Sequence, residues 1–143
     1  MVLLHKDFGV CNIIVNKTSC NLVGVVDWAE AEIAPFGLNL YSHQRLISKI
    51  HFKSGWARFD DYVTLEDIFR STFTKEAAGL SSDTIRAIKA ARIAGLLLSR
   101  GFTSRLANMP KPVPTRDDES GACNMRDLDG LLINPAAKFT DLA

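Results

Sequence analysis

Hydrophobic and polar positions change their period twice along the chain. From Leu3 to Val26 the pattern is strand-like: Ile13-Ile14-Val15 and Leu22-Val23-Gly24-Val25-Val26 are runs rich in β-branched residues. The polar stretch Asn16-Lys17-Thr18-Ser19-Cys20-Asn21 between them predicts a hairpin connection. From about Pro35 the apolar residues Leu38, Tyr41, Leu46, Ile47 and Ile50 fall mostly at three- and four-residue spacings, which predicts an amphipathic helix. Trp56, Phe59 and Tyr62 continue it as an aromatic stripe, read as core rather than as a binding surface.

Thr64 is placed to cap a helix through Leu65, Ile68, Phe69 and Phe73, with Glu66 and Asp67 in the first turn, where the helix dipole favours anions, and Gly79 as its stop. Ser81 or Ser82 then caps a longer helix running to about Gly101. Its second half, Ala90 to Leu98, is apolar nearly all round and predicts a central helix buried on several sides. Between Asn108 and Gly121 three prolines and the triplet Asp117-Asp118-Glu119 have loop composition. Met125, Leu128, Leu131, Leu132 and Ile133 suit one short helix before an extended tail. No internal repeat or low-complexity segment interrupts this order, which divides into 1–41, a helical subdomain 42–107, and a loop, short helix and tail over 108–143.

Composition narrows the function classes. With 143 residues, one globular unit is the expectation, burying roughly 70% of the surface exposed by the unfolded chain. Seventeen Lys+Arg against 16 Asp+Glu leave a formal net charge of +1, too little for a whole-molecule field that holds a polyanion, so nucleic acid is not an expected partner. The stretch from Thr84 to Arg116 is basic and free of acids, but no aromatics interleave its Arg and Lys, and it reads as a solvated helix face. No apolar run approaches the ~20 residues of a membrane span, and Met1-Val2-Leu3-Leu4-His5-Lys6-Asp7 lacks the basic start of a secretory signal. A cytoplasmic protein is expected, with no membrane partner. Cys11, Cys20 and Cys123 are odd in number and form no C-x-x-C pair, as reduced thiols would, and Cys11 reads as a small buried filler. Glu30 and Glu32 read as a solvated turn, His43 and His51 as helix-surface histidines.

Chemistry concentrates between Leu3 and Asp27. His5-Lys6-Asp7-Phe8-Gly9-Val10-Cys11-Asn12 has the form H-x-D-x-x-x-x-N, and the predicted hairpin is followed by Asp27-Trp28. In phosphoryl transfer this spacing has a purpose: a loop sets a carboxylate beside the attacking hydroxyl and an amide beside a metal ion, and the hairpin returns a second carboxylate to that ion. Asp7 is thus the candidate base or orienter of a substrate hydroxyl. Asn12 and Asp27 are candidate Mg²⁺ ligands, oxygen donors suited to a hard cation. His5 is a structural member whose ring hydrogen bonds fix the loop.

The strings LLHKDFGVCNIIVN and LVGVVDWAEAEIAPFGLNL, in that order, resemble the aminoglycoside phosphotransferase and choline kinase group, most closely its fungal homologues of unassigned substrate. The match covers about Val2 to Tyr41. The resemblance implies an α+β, mainly helical architecture, in which a catalytic-loop hairpin is followed by the helical C-terminal lobe of a kinase-like fold. It further implies ATP as co-substrate, Mg²⁺ as cofactor and the hydroxyl of a small molecule as acceptor. Asp27 runs within a few residues into Pro35-Phe36-Gly37 with no long activation segment, which fits a small-molecule kinase better than a protein kinase.

Two departures accompany the resemblance. Asn39 stands where the family pattern commonly has Asp. No two glycines are two positions apart, so G-x-G-x-x-G is absent, and so is G-x-x-x-x-G-K-[ST]. The expectation is therefore a C-terminal-lobe fragment whose partner is a missing N-terminal lobe or a second copy. The alternative is a non-catalytic remnant or binding module of kinase-like ancestry.

Overall fold

A computed structural model gives the fold; the structure describes residues 1–51, 53–102 and 112–139. It is a small α+β unit, 43% helical and 18% strand, with its strands in separate two-stranded sheets. The predicted hairpin forms β2 (Ile13–Val15) and β3 (Leu22–Val25), antiparallel with Ile13 opposite Val25 and Ile14 opposite Gly24. Its turn is built by Asn16, whose Oδ1 accepts from the backbone N–H groups of Thr18 and Ser19, both at 2.9 Å. Two three-residue strands frame this hairpin: β1 (Val2–Leu4) pairs antiparallel with β4 (Glu32–Ala34), Leu4 opposite Glu32. That pairing closes residues 5–31 into one loop system tied at its base.

The predicted helix over Leu38 to Ile50 is shorter than its pattern. α1 (Tyr41–Leu46) ends after six residues, and the chain reverses in a second hairpin of β5 (Ser48–His51) and β6 (Gly55–Arg58). Gly55, at φ +74°, supplies the left-handed turn residue, and buried Trp56 anchors β6 by donating Nε1–H to Asp127 at 3.0 Å. The aromatic stripe is therefore split: Trp56 and Tyr62 are buried, whereas Phe59 is exposed.

α2 (Tyr62–Glu76) begins two residues before the expected Thr64 cap, with the Arg58 guanidinium 4.2 Å over the Tyr62 ring. Gly79, at φ +88°, turns the chain after it. α3 (Ser82–Arg100) follows the sequence closely: Ser81 Oγ accepts from Thr84 N at 3.1 Å, and Gly101 caps the other end. The expectation that α3 is buried on several sides is corrected. Gly95 and Leu96 are buried, but Leu97 is exposed and Leu98 is 64% exposed, so α3 packs along one face. Gly95 sets that face, because a Cβ there would fall on the Leu38 carbonyl.

α4 (Ala122–Leu128) continues into a wide turn, Asp129–Ile133. The acidic loop before it is a capping device. Asp118 Oδ1 accepts from Ser120 Oγ–H and from the Ser120 and Gly121 backbone N–H groups, and these bonds hold its carboxyl below the usual carboxylate range. The tail is not extended: Phe139, 1% exposed, joins Tyr41, Leu96 and Leu131 in the core. Gln44 and Arg58 donate to the carbonyls of Ala137 and Lys138, at 3.1 and 2.6 Å, and the Arg92 guanidinium lies 4.2 Å over the Phe139 ring. No helix among the described residues is long and apolar enough to cross a membrane.

Candidate functional site

The β1–β4 pair brings together the start of the H-x-D-x-x-x-x-N loop and the segment after β3. His5 leaves β1 at 4% exposure, and its Nε2 lies 2.7 Å from the Val26 carbonyl. A carbonyl only accepts, so Nε2 carries the hydrogen. The ring is wedged edge-on against Trp28, centroids 4.9 Å apart, and against Phe8 at 6.2 Å.

From His5 the chain runs through exposed Asp7 into the tight helical turn Val10–Asn12, where Asn12 N donates to Gly9 O at 3.0 Å. Asn12 Nδ2 turns back and donates to the Asp7 carbonyl at 2.8 Å, with Asp7 Oδ2 at 3.5 Å. This leaves Asn12 Oδ1 as the acceptor end of the amide. The backbone of Asn12 reaches the other arm of the site, since Val26 N donates to Asn12 O at 3.0 Å.

Val26 is thus held on both its polar groups by the loop, its N–H by Asn12 and its C=O by His5. Immediately after it Asp27 adopts φ +63°, a left-handed conformation that a non-glycine residue holds only when its surroundings impose it. Trp28 completes the clamp: its Nε1–H donates to Val25 O at 2.8 Å while its ring meets His5. The four residues singled out by spacing therefore belong to one hydrogen-bonded unit. Asp7 and Asn12 touch directly, and Asp27 is positioned through the doubly pinned Val26.

The same geometry revises several other expectations. Cys11 is exposed rather than a buried filler, as are Cys20 and Cys123. Glu32 is half exposed and pairs with Lys6 at 3.3 Å, a contact of small energetic weight at that exposure. His43 is not a surface histidine: its ring stacks on Phe69 with centroids 3.9 Å apart, and its Nδ1 lies 3.6 Å from Glu66 Oε2. Burial pushes the His43 pKa below the ordinary value, with Arg92 acting in the same direction and Glu66 against it. Glu66 is correspondingly buried and reaches Arg70 at 3.2 Å, rather than sitting free in a first turn.

Sequence reasoning missed the backbone of Val26 and the aromatic wedge of Phe8 and Trp28 around His5. The signal for the wedge was the placement of aromatic residues three after His5 and one after Asp27.

As a metal site the arrangement offers oxygen donors of the right type. One carboxylate, Asp27, and one amide oxygen, Asn12 Oδ1, suit a cation that is held by few protein ligands and keeps much of its water. Among the described residues no group of three or more His, Cys, Asp or Glu side chains is arranged for a metal, which a carboxylate-plus-amide pair does not require. In comparison with known proteins, no family model, no curated protein and no solved structure matches this chain.

Proposed function

We propose that the chain carries the catalytic segment of an ATP- and Mg²⁺-dependent phosphotransferase that acts on a small-molecule hydroxyl, in a kinase-like C-terminal lobe. The observation that supports this reading is the clamp on Val26. A loop bearing Asp7 and Asn12 grips the residue before Asp27 from both sides, so three oxygen-bearing groups are held by one network.

Phosphoryl transfer needs little covalent work from the protein; positioning and charge neutralisation carry most of the rate enhancement. In this reading Asp7 orients the acceptor hydroxyl and receives its proton. Asn12 and Asp27 hold Mg²⁺, which when bound neutralises charge on the β- and γ-phosphates. His5 acts as a positioning residue: it touches neither substrate nor metal but fixes Val26 and hence Asp27.

A second reading, a non-catalytic module of kinase-like ancestry, is favoured by the lack of any G-x-G-x-x-G among the 143 residues. Calorimetry of Mg·ATP on the 143-residue chain separates the two. The phosphotransferase reading expects micromolar binding that disappears in Asp27→Ala. A cooperatively folded protein that gives no heat of binding assigns the motif to ancestry alone.

A further inference from the structure

A cavity of about 390 Å³ opens behind the candidate catalytic loop, between β1, β3, α1 and α2. Its volume lies within the range of small-molecule pockets, roughly 300 to 1,000 Å³, which are mostly apolar with a few convergent polar groups. The walls have that composition. Phe8, Trp28 and Phe69 contribute aromatic surface, and the only polar side chains among the lining residues are His5, Asn39 and His43.

The His5 ring gives the cavity a chemical preference. Its Nε2 hydrogen is committed to Val26 O, so in the neutral ring Nδ1 is an acceptor. That Nδ1 is buried and has no hydrogen-bond partner among the described residues. A buried acceptor without a donor is costly, by about 1 to 3 kcal/mol, and a ligand that brings a donor removes the cost. His43 is turned with Nδ1 toward Glu66, and the Asn39 amide takes part in no side-chain hydrogen bond among the described residues.

The geometry points to a binding site for a small aromatic molecule that carries a hydroxyl donor. Its ring lies among Phe8, Trp28 and Phe69, and its hydroxyl donates to His5 Nδ1. The site faces away from solvent-exposed Asp7 and involves none of the oxygen donors of the loop, so it stands whether or not the phosphotransferase reading holds.

The test is an NMR titration of the 143-residue chain with p-cresol, and with toluene as the probe of similar shape that lacks the donor. Saturable shifts at the Trp28 indole and the His5 ring are expected, with toluene weaker by roughly tenfold, the worth of one such hydrogen bond. Leu40→Trp, which fills the cavity from its lining, is expected to abolish p-cresol binding. Non-saturating shifts, equal affinity for the two probes, or undiminished binding to a folded Leu40→Trp protein would each overturn the proposal. The comparison of probes uses the unaltered chain and decides the question even where the variant does not fold.

Discussion

Asp127 ties three elements together, and its removal gives the most quantitative test of the packing. Its side chain is 11% exposed, accepts from Trp56 Nε1 of β6 and pairs with Arg100 Nε of α3, each at 3.0 Å. Asp127→Ala strands two buried donors at once. An unsatisfied buried N–H costs about 1 to 3 kcal/mol, and removing one partner of a buried ion pair about 3 to 5 kcal/mol. The two losses share one carboxylate and do not add. Arg100 is 24% exposed and regains some hydration, so the lower part of that range applies, about 3 kcal/mol. Asp127→Asn keeps an acceptor for Trp56 and loses only the charge, which is expected to halve the cost to about 1.5 kcal/mol. Urea unfolding followed by tryptophan fluorescence reads both variants against the parent, with equal m-values required for the comparison. An Asp127→Ala cost below about 1 kcal/mol, or equal costs for Ala and Asn, would refute the view that this carboxylate is a buried clamp.

Three further outcomes follow from other parts of the fold. Phe139→Ala is expected to lower stability by about 3 to 5 kcal/mol by denaturant titration, since the ring is fully buried in the core; an extended tail would give almost no change. Gly95→Ala is expected to destabilise the protein, although alanine favours an isolated helix by about 1 kcal/mol, because the new Cβ meets the Leu38 carbonyl; a rise in thermal midpoint would contradict the α3 packing. The His43 pKa is lowered in the folded protein, so its contribution is intact above the ordinary value of 6.5 and is lost as the pH falls below it, while the unfolded chain takes up the proton first. Unfolding midpoints between about pH 8 and 5 are expected to show a slope that His43→Gln reduces, and an unchanged slope would show that another group titrates there.

The parts of the fold that were legible in the sequence are those fixed by local chemistry. The β2–β3 hairpin was readable because Asn16 builds its own turn between β-branched runs, and α3 because Ser81 and Gly101 are caps in the sequence itself. The H-x-D-x-x-x-x-N spacing was similarly local: Asp7 and Asn12 meet across a single short turn.

What escaped depended on partners distant in the chain. β1 and β4 have three residues each, too few to show a period, and exist only by pairing with each other. Ile47 and Ile50 have helical spacing, yet the segment pairs with Gly55–Arg58 because Trp56 is anchored far away at Asp127. Phe139 was one apolar residue in a polar tail, and nothing near it signals that Leu131, Leu96 and Tyr41 enclose it. For His43, helical spacing alone could not reveal that α2 would bring Phe69 and Glu66 against it.

The central claim is that the Asn12 amide and the Asp27 carboxylate serve one cation, held in register by Val26. Replacing Mg²⁺ with Mn²⁺ and recording paramagnetic broadening in NMR spectra tests it most directly, because the broadening reports distance from the ion residue by residue. Selective loss of the Asn12 side-chain amide and Asp27 backbone signals at low Mn²⁺, abolished in Asp27→Ala and reduced in Asn12→Ala, is the predicted result. Broadening centred on the acidic triplet Asp117-Asp118-Glu119, or spread evenly over surface carboxylates, would contradict it.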